Sequence, residues 1–383
     1  MRRPYRRSIL AISLLLYVLA APAGSENLTT ITLGFTGRLS EPITQSALQG
    51  AQVAIDDANA MAVRRRSPLR FTLLPQDDHG NENFAVNIAR YYIKENVAGV
   101  IGPWSSDAAL ATATIYESAH IPQIGFTATS SQWTGMGHRM PFRVVGGTRE
   151  LAAALAEVAS RSLGGRRVFV IQNDSAYSNA LADALLEKLA ATSSGIALGR
   201  IQVARRTTDF HNAVQAAMQH EADVIVFLAL YPQARAFIEA ARRSGSKARI
   251  LLTGGASNLP LPPQAEPRLH VLEYEIARDH CPQWKKVALA YRNKFGTAPT
   301  TYSFHAYDAA SILSAAILQT GSAEGPRIAA TLHQMRYAGL HGPISFAPDG
   351  SNAHPRYTLF RHDGRWQPVE FFPAGSGRHE PCV

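Results

Sequence analysis

Cysteine is nearly absent: the 383 residues contain two, Cys281 and Cys382. Neither lies in a CxxC pair, and no HExxH or Cys/His cluster has metal-ligand spacing, which argues against a zinc site or a dithiol centre as the basis of function. Phosphate-cradling loops are missing as well. No GxGxxG follows a strand-like run and no Walker sequence occurs, which removes the usual nucleotide-binding chemistries and leaves no cofactor to expect. There is no GxSxG nucleophile elbow. Asp77-Asp78-His79 is the most catalytic-looking cluster, but after a strand and before a helix it reads as loop capping. His220-Glu221 has no second histidine at ligand spacing. The chain is not expected to be an enzyme.

Long apolar runs are equally scarce. The one stretch without charge near the start, residues 9–20, has 12 residues, short of the roughly 20 that span a bilayer. Arg2, Arg3, Arg6 and Arg7 precede it and Ala21-Pro22-Ala23 follows, the build of a signal peptide cleaved after Ala23. No cysteine follows the apolar run, which disfavours a lipoprotein. The chain is expected to be exported to an oxidising compartment, where Cys281 and Cys382 are free to pair. The formal charge of +9 includes the four leader arginines and no leader acid, so the mature chain carries +5. That is mild and evenly spread. Arg64-Arg65-Arg66 and Arg205-Arg206 are short clusters that read as solvated loops, and nucleic acid is not an expected partner.

What is present is repetition. Apolar runs at 31–35, 71–74, 97–102 and 122–125 alternate with helix-period stretches at 44–58, 83–96 and 106–119. Strands separated by such helices make βαβ units and a parallel sheet. The cycle then restarts, with strands at 167–171, 198–203, 223–228 and 250–252 and helices at 179–191, 210–219 and 233–243. About 360 mature residues exceed one comfortable core, and two α/β lobes are expected. The remainder holds a strand at 271–272, helices near 284–295, 303–318 and 326–335, and two short strands at 342–346 and 357–360 about an Asp349-Gly350 turn. These should complete the two sheets, leaving residues 373–383 as a flexible tail.

Small polar residues recur after strands, as Gly102-Pro103-Trp104-Ser105-Ser106 and Gly125-Phe126-Thr127-Ala128-Thr129-Ser130. Hydroxyls and free N–H groups at helix starts and strand ends hold carboxylates and other acceptors well. The same residues serve equally as helix caps and turns, and the sequence alone leaves both readings open.

Together these segments resemble the type I periplasmic binding proteins, specifically the branched-chain amino-acid (leucine/isoleucine/valine-binding) receptors of ABC transporters. The likeness runs from about Ile31 to Phe360. It is carried by Leu33-Gly34-Phe35-Thr36-Gly37, Gln49-Gly50-Ala51, Val100-Ile101-Gly102-Pro103-Trp104-Ser105-Ser106 and Ile121-Pro122-Gln123-Ile124. Further on it rests on Asp174-Ser175-Ala176-Tyr177, Ala222-Asp223-Val224-Ile225, Tyr302-Ser303-Phe304-His305-Ala306-Tyr307-Asp308-Ala309 and Gly342-Pro343-Ile344-Ser345-Phe346.

The resemblance implies two Rossmann-like lobes with parallel sheets, built from 29–144 with 273–342 and from 145–272 with 343–370. Three crossovers near 144–147, 269–273 and 342–345 would form the hinge. It places ligand contacts at Ser106, Thr127 and Thr129 of the first lobe and Tyr177 and Tyr231 of the second, with Trp104, Ser105, Phe126 and Ala128 beside them. The family also carries an acid after the strand at 250–252. Here the chain reads Leu252-Thr253-Gly254-Gly255-Ala256-Ser257, which places Gly254 and Gly255 at the site instead. A ligand with an oxygen-bearing polar end, an apolar body and no α-amino group is therefore expected, with Asp174 and Glu273 as positions from which an acid could reach over. The implied partner is an inner-membrane permease, and the implied state a monomer. A lipid carrier for sterols or fatty acids, and a ligand sensor, are the alternatives on the same fold.

Overall fold

The computed structural model describes residues 28–192, 195–264, 266–274 and 281–373. The expected leader, Cys382 and the tail beyond Pro373 lie outside them.

The chain opens with β1 (Thr29–Gly37), α1 (Pro42–Arg64), β2 (Leu69–Asp77), α2 (Glu82–Lys94), β3 (Gly99–Ile101), α3 (Ser106–Ser118), β4 (Gln123–Gly125), the short α4 (Ser131–Gly135) and β5 (Pro141–Arg143). All five strands pair in parallel, in the order β2-β1-β3-β4-β5. Leu33, Phe35, Val100, Ile101 and Ile124 are wholly buried, as a parallel sheet covered on both faces requires. Pro42 starts α1 at a position where its missing N–H is no loss. Gly50 lets α1 lie flush on a later helix, since a Cβ there would stand 2.0 Å from the Ser303 carbonyl oxygen.

The second series is α5 (Thr148–Glu157), β6 (Arg167–Asn173), α6 (Ala176–Thr192), β7 (Ala197–Val203), α7 (His211–Gln219), β8 (Val224–Phe227), α8 (Tyr231–Arg243), β9 (Arg249–Leu252) and β10 (Glu266–Glu273). Next come α9 (Pro282–Phe295), α10 (Thr301–Thr320), α11 (Gly325–Gln334), β11 (Tyr337–Gly339), β12 (Gly342–Ile344), β13 (Tyr357–His362) and β14 (Trp366–Phe372). The second sheet runs β14-β13-β10-β9-β8-β6-β7. Helices α9, α10 and α11 bury their apolar faces in the first core, with Tyr291, Ile312, Leu313 and Leu332 among its members.

Two expectations need correction. The second sheet is mixed, because β13 pairs antiparallel with both β10 and β14. The strands flanking Asp349-Gly350 do not pair with each other: β12 pairs with β11, and β13 lies between β10 and β14. The turn does form, with an isolated bridge between Phe346 and Asn352. It docks on the edge of the first sheet, where the Arg143 N–H donates to the Gly350 carbonyl at 3.0 Å, and that contact draws the two strands to different sheets. The short β5, β11 and β14, with α4 and α5, were not anticipated by the sequence pattern.

The chain passes between the sheets after β5, after β10 and between β12 and β13. The second passage therefore follows Glu273 instead of occupying 269–273, which is strand, and the third follows β12. One hydrogen-bonded cluster ties all three. The Tyr274 hydroxyl donates to the Val144 carbonyl, and the Asn352 amide donates to both, at 2.6 Å each.

Candidate ligand-binding cleft

Between the two sheets lies a cleft of about 320 Å³, at the lower end of the range of roughly 300–1,000 Å³ for small-molecule sites. Residues of both series line it.

On the first wall α3 points its N-terminus inward. The Ser105 hydroxyl caps that helix, accepting from the Ala108 N–H at 3.1 Å. The cap is thus Ser105, and Ser106 is free of that duty: its hydroxyl is buried without a partner. Thr127, which lines the cleft, donates to the Trp104 carbonyl at 2.6 Å. The Thr129 hydroxyl is buried and unpartnered, while its carbonyl is clamped by the Thr148 N–H and hydroxyl at 2.8 and 2.9 Å and by Arg143 at 3.2 Å. Arg143 is itself buried and also donates to the Ser130 carbonyl and the Thr134 hydroxyl. The loop carrying Thr129 is thus fastened by a buried cation that does not line the cleft.

The second wall is set by a buried polar network at the start of α6. The Asn173 side chain accepts from Ser175 and donates to Gln233 at 2.8 Å, and the Ser178 hydroxyl donates to the Leu228 carbonyl. This fixes Tyr177, whose hydroxyl approaches Thr253 without forming a well-shaped hydrogen bond. Burial raises the pKa of the phenols of Tyr177, Tyr302 and Tyr357, with the charge of Glu273 adding to the shift at the first two. All three are neutral donors near pH 7.

Glu273 corrects the expectation of a cleft without an acid. Its carboxylate, 6% exposed, accepts from the Gly255 N–H at 3.1 Å and the Ser257 N–H at 3.2 Å. It lines the cleft together with Gly254. Asp174 is engaged elsewhere, accepting from the Arg205 N–H at 2.8 Å on an exposed rim.

Of the residues singled out from sequence, Trp104, Ser105, Ser106, Phe126, Thr127, Thr129, Tyr177, Tyr231 and Gly254 all line the cleft. Ala128 and Gly255 do not. Ala128 packs away from it against Trp133, and Gly255 is left-handed at φ +89° with its N–H on Glu273. Sequence reasoning missed Tyr274, Tyr302, His305 and Tyr357, which also line it. Trp104 packs on Phe126 at 5.7 Å and on Tyr302 at 4.8 Å between ring centres, so the aromatic wall crosses from loop to α10. The signal for Tyr302 and His305 was their place in the 302–309 segment that carried the resemblance. Asp77 and Asp78 are loop caps, as their chemistry suggested: Asp77 accepts from Leu39 and His79, and Asp78 from Gly80.

A family model described as periplasmic binding protein matches residues 30–365. The chain belongs to the periplasmic binding protein family. Among the binding protein's curated relatives is Leu/Ile/Val-binding protein homolog 7 of Brucella abortus, 24% identical over 318 residues that cover 78% of each chain. Its fold is shared with the leucine-binding protein LivK of Thermotoga maritima, with a TM-score of 0.79, 23% identity, and coverage of 89% of this chain and 98% of that one. It is shared too with a solute-binding protein of R. palustris solved with 4-hydroxybenzoate, with a TM-score of 0.78, 21% identity, and coverage of 90% and 97%. The binding protein shares the fold of these receptors, with the cleft between its two sheets. Among the described residues no helix is long and apolar enough to cross a membrane, and no cluster of metal-ligating side chains occurs.

Proposed function

We propose that this protein captures a zwitterionic amino acid with a bulky apolar side chain and delivers it to an inner-membrane permease. The observation that carries the reading is the pairing of two polar ends across one cleft. Ser106 and Thr129 offer unpartnered hydroxyls beside the N-terminus of α3, where hydroxyls, N–H groups and the helix dipole favour a carboxylate. Glu273 offers the anion that an ammonium group needs when its hydration is lost. Trp104, Phe126 and Tyr302 surround the space between. The names of the relatives, Leu/Ile/Val-binding protein and leucine-binding protein, point the same way. Export on a leader cleaved after Ala23, action in the periplasm as a monomer, and release to the permease complete the proposal.

A second reading, an aromatic acid, draws on the number of tyrosines around the cleft and on the neighbour solved with 4-hydroxybenzoate. A lipid carrier is not favoured, because the cleft is lined by polar and charged groups on both walls, Ser106 and Thr129 on one and Glu273 on the other. Titration calorimetry with leucine, phenylalanine and their deaminated acids decides among these. The proposal expects deamination to weaken binding, and Glu273→Gln to cost about 2–5 kcal/mol, or some 30-fold to several-thousand-fold in Kd. Equal affinity for amino acid and deaminated acid, unchanged by Glu273→Gln, would refute it.

A further inference from the structure

His305 is a buried polar side chain that the proposed function leaves unused. It lies on α10, is 3% exposed, and lines both the cleft and a second chamber of about 10 Å³. Neither ring nitrogen has a hydrogen-bond partner; the Tyr274 main chain is near but lacks the geometry of a bond. Around the ring stand His341, Tyr274 and Tyr302, with centres 4.5, 5.5 and 5.9 Å away. Asp308, further along the same helix, is taken up by the Leu340 N–H at 2.8 Å and by His341 at 3.2 Å. His354 and Arg356 line the small chamber.

Burial and the neighbouring His341 hold the imidazole well below its ordinary pKa and so keep it neutral. A neutral ring has one donor nitrogen and one acceptor nitrogen. The small chamber has room for roughly one water, which can satisfy one of them. The other is left to whatever fills the cleft, since buried polar atoms are rarely left without a partner. The rest of that wall is aromatic.

We propose that His305 determines specificity by recognising a hydroxyl group on the otherwise apolar body of the ligand. A hydroxyl both donates and accepts, so it suits either tautomer. A ligand with hydrogen in its place leaves a buried nitrogen unpaired, and sites built to bond a hydroxyl discriminate strongly against the analogue lacking it. This deepens the proposed function and rests on its placement of the ligand in the cleft, but it holds for either an amino acid or an aromatic acid.

The test is calorimetric titration of the full mature protein with two pairs of probes, tyrosine against phenylalanine and 4-hydroxybenzoate against benzoate. In at least one pair the hydroxylated member should bind about tenfold or more tightly. His305→Leu should erase that ratio, and His305→Gln, which keeps a donor and an acceptor, should retain part of it. On adding the preferred probe, and not its hydroxyl-free partner, the ¹⁵N resonance of a His305 ring nitrogen should shift. A merely structural role would weaken both members of a pair alike. A ratio unchanged in His305→Leu, or no hydroxyl preference in the parent protein while probes still bind, would overturn this inference alone. Failure of all four probes and of leucine to bind would overturn the cleft reading and this inference with it.

Discussion

Gly255 lies on the loop after β9, behind the cleft-lining Gly254, and packs directly against a residue of the first core's helices. A Cβ at this position would stand 2.4 Å from the Tyr302 hydroxyl oxygen and 2.8 Å from Cε2 of the same ring, on α10. Gly254 supplies the control. It is also left-handed, at φ +70° against +89° for Gly255, but a Cβ there meets nothing closer than 3.4 Å. Replacing either by alanine should therefore cost the same backbone penalty, about 1–2 kcal/mol of fold stability. Gly255→Ala alone adds an overlap between this loop and α10. Overpacking of this kind costs about 1–3 kcal/mol, and because loop and helix come from different lobes it falls on the closed state. Closure linked to binding then turns that cost into an affinity loss of roughly 5–150-fold. Urea titration should find the two variants equally destabilised, while calorimetry with the protein's best ligand separates them. Small-angle scattering should show ligand-saturated Gly255→Ala more open than Gly254→Ala. Adding Tyr302→Phe, which deletes the atom at 2.4 Å, should recover part of the affinity. Equal ligand affinities for Gly254→Ala and Gly255→Ala would refute the reasoning.

Other consequences follow from single features. Arg143→Leu removes its hydrogen bonds to the Thr129 and Ser130 carbonyls and the Thr134 hydroxyl; both carbonyls keep other donors, from Thr148 and Trp133, so at about 1 kcal/mol per lost bond the fold should be destabilised by about 2–4 kcal/mol in urea melts. His305, with its pKa held below the ordinary histidine value by burial, binds a proton in the unfolded chain before the folded one. Its contribution to stability is full above the unfolded value of about 6.5 and is lost as pH falls below it, at up to about 1.4 kcal/mol per pH unit, and His305→Gln should flatten that slope in melts from pH 7 to 5. Cys281 is buried and disulfide-bonded; non-reducing peptide maps of exported protein should recover it linked to Cys382, and free thiol at Cys382 would exclude that pairing.

The fold was legible wherever burial forced an unbroken pattern. Val224-Ile225-Val226-Phe227 has every side chain buried, so its sequence carries no polar residue to blur it. Elements that escaped are short, or have one wet side. β5 has three residues. β14 is an edge strand with Pro368 and a register shift opposite Leu359 and Phe360, and its half-buried residues show no clean alternation. The Asp349-Gly350 turn was legible as a turn, but the partners of its flanking strands were not. Turn chemistry is local, whereas the docking of Gly350 on Arg143 is a contact across more than 200 positions.

The site shows the same division between local and long-range information. Ser105 and Ser106 are adjacent hydroxyls before one helix, and sequence could not say which was the cap; the Ser105 bond to Ala108 assigns it and leaves the Ser106 hydroxyl without a partner at the cleft. Asp174 and Glu273 were equivalent on paper as substitutes for a missing acid. Burial separates them: Asp174 lies with Arg205 on the rim, while Glu273 is folded under the Gly255 and Ser257 N–H groups. The left-handed glycines turn those N–H groups inward, so Gly254-Gly255 is not a gap where an acid was lost but the cradle that holds one arriving from 18 residues away. Glu273 also ends β10, and the next residue, Tyr274, bonds Val144 and Asn352 of the other two passages. A charge bound at Glu273 is thus one residue from the cluster about which the lobes must turn. On the proposed reading, an ammonium group held at Glu273 would sit one residue from the hinge, a link that an acid on the loop after β9 would lack.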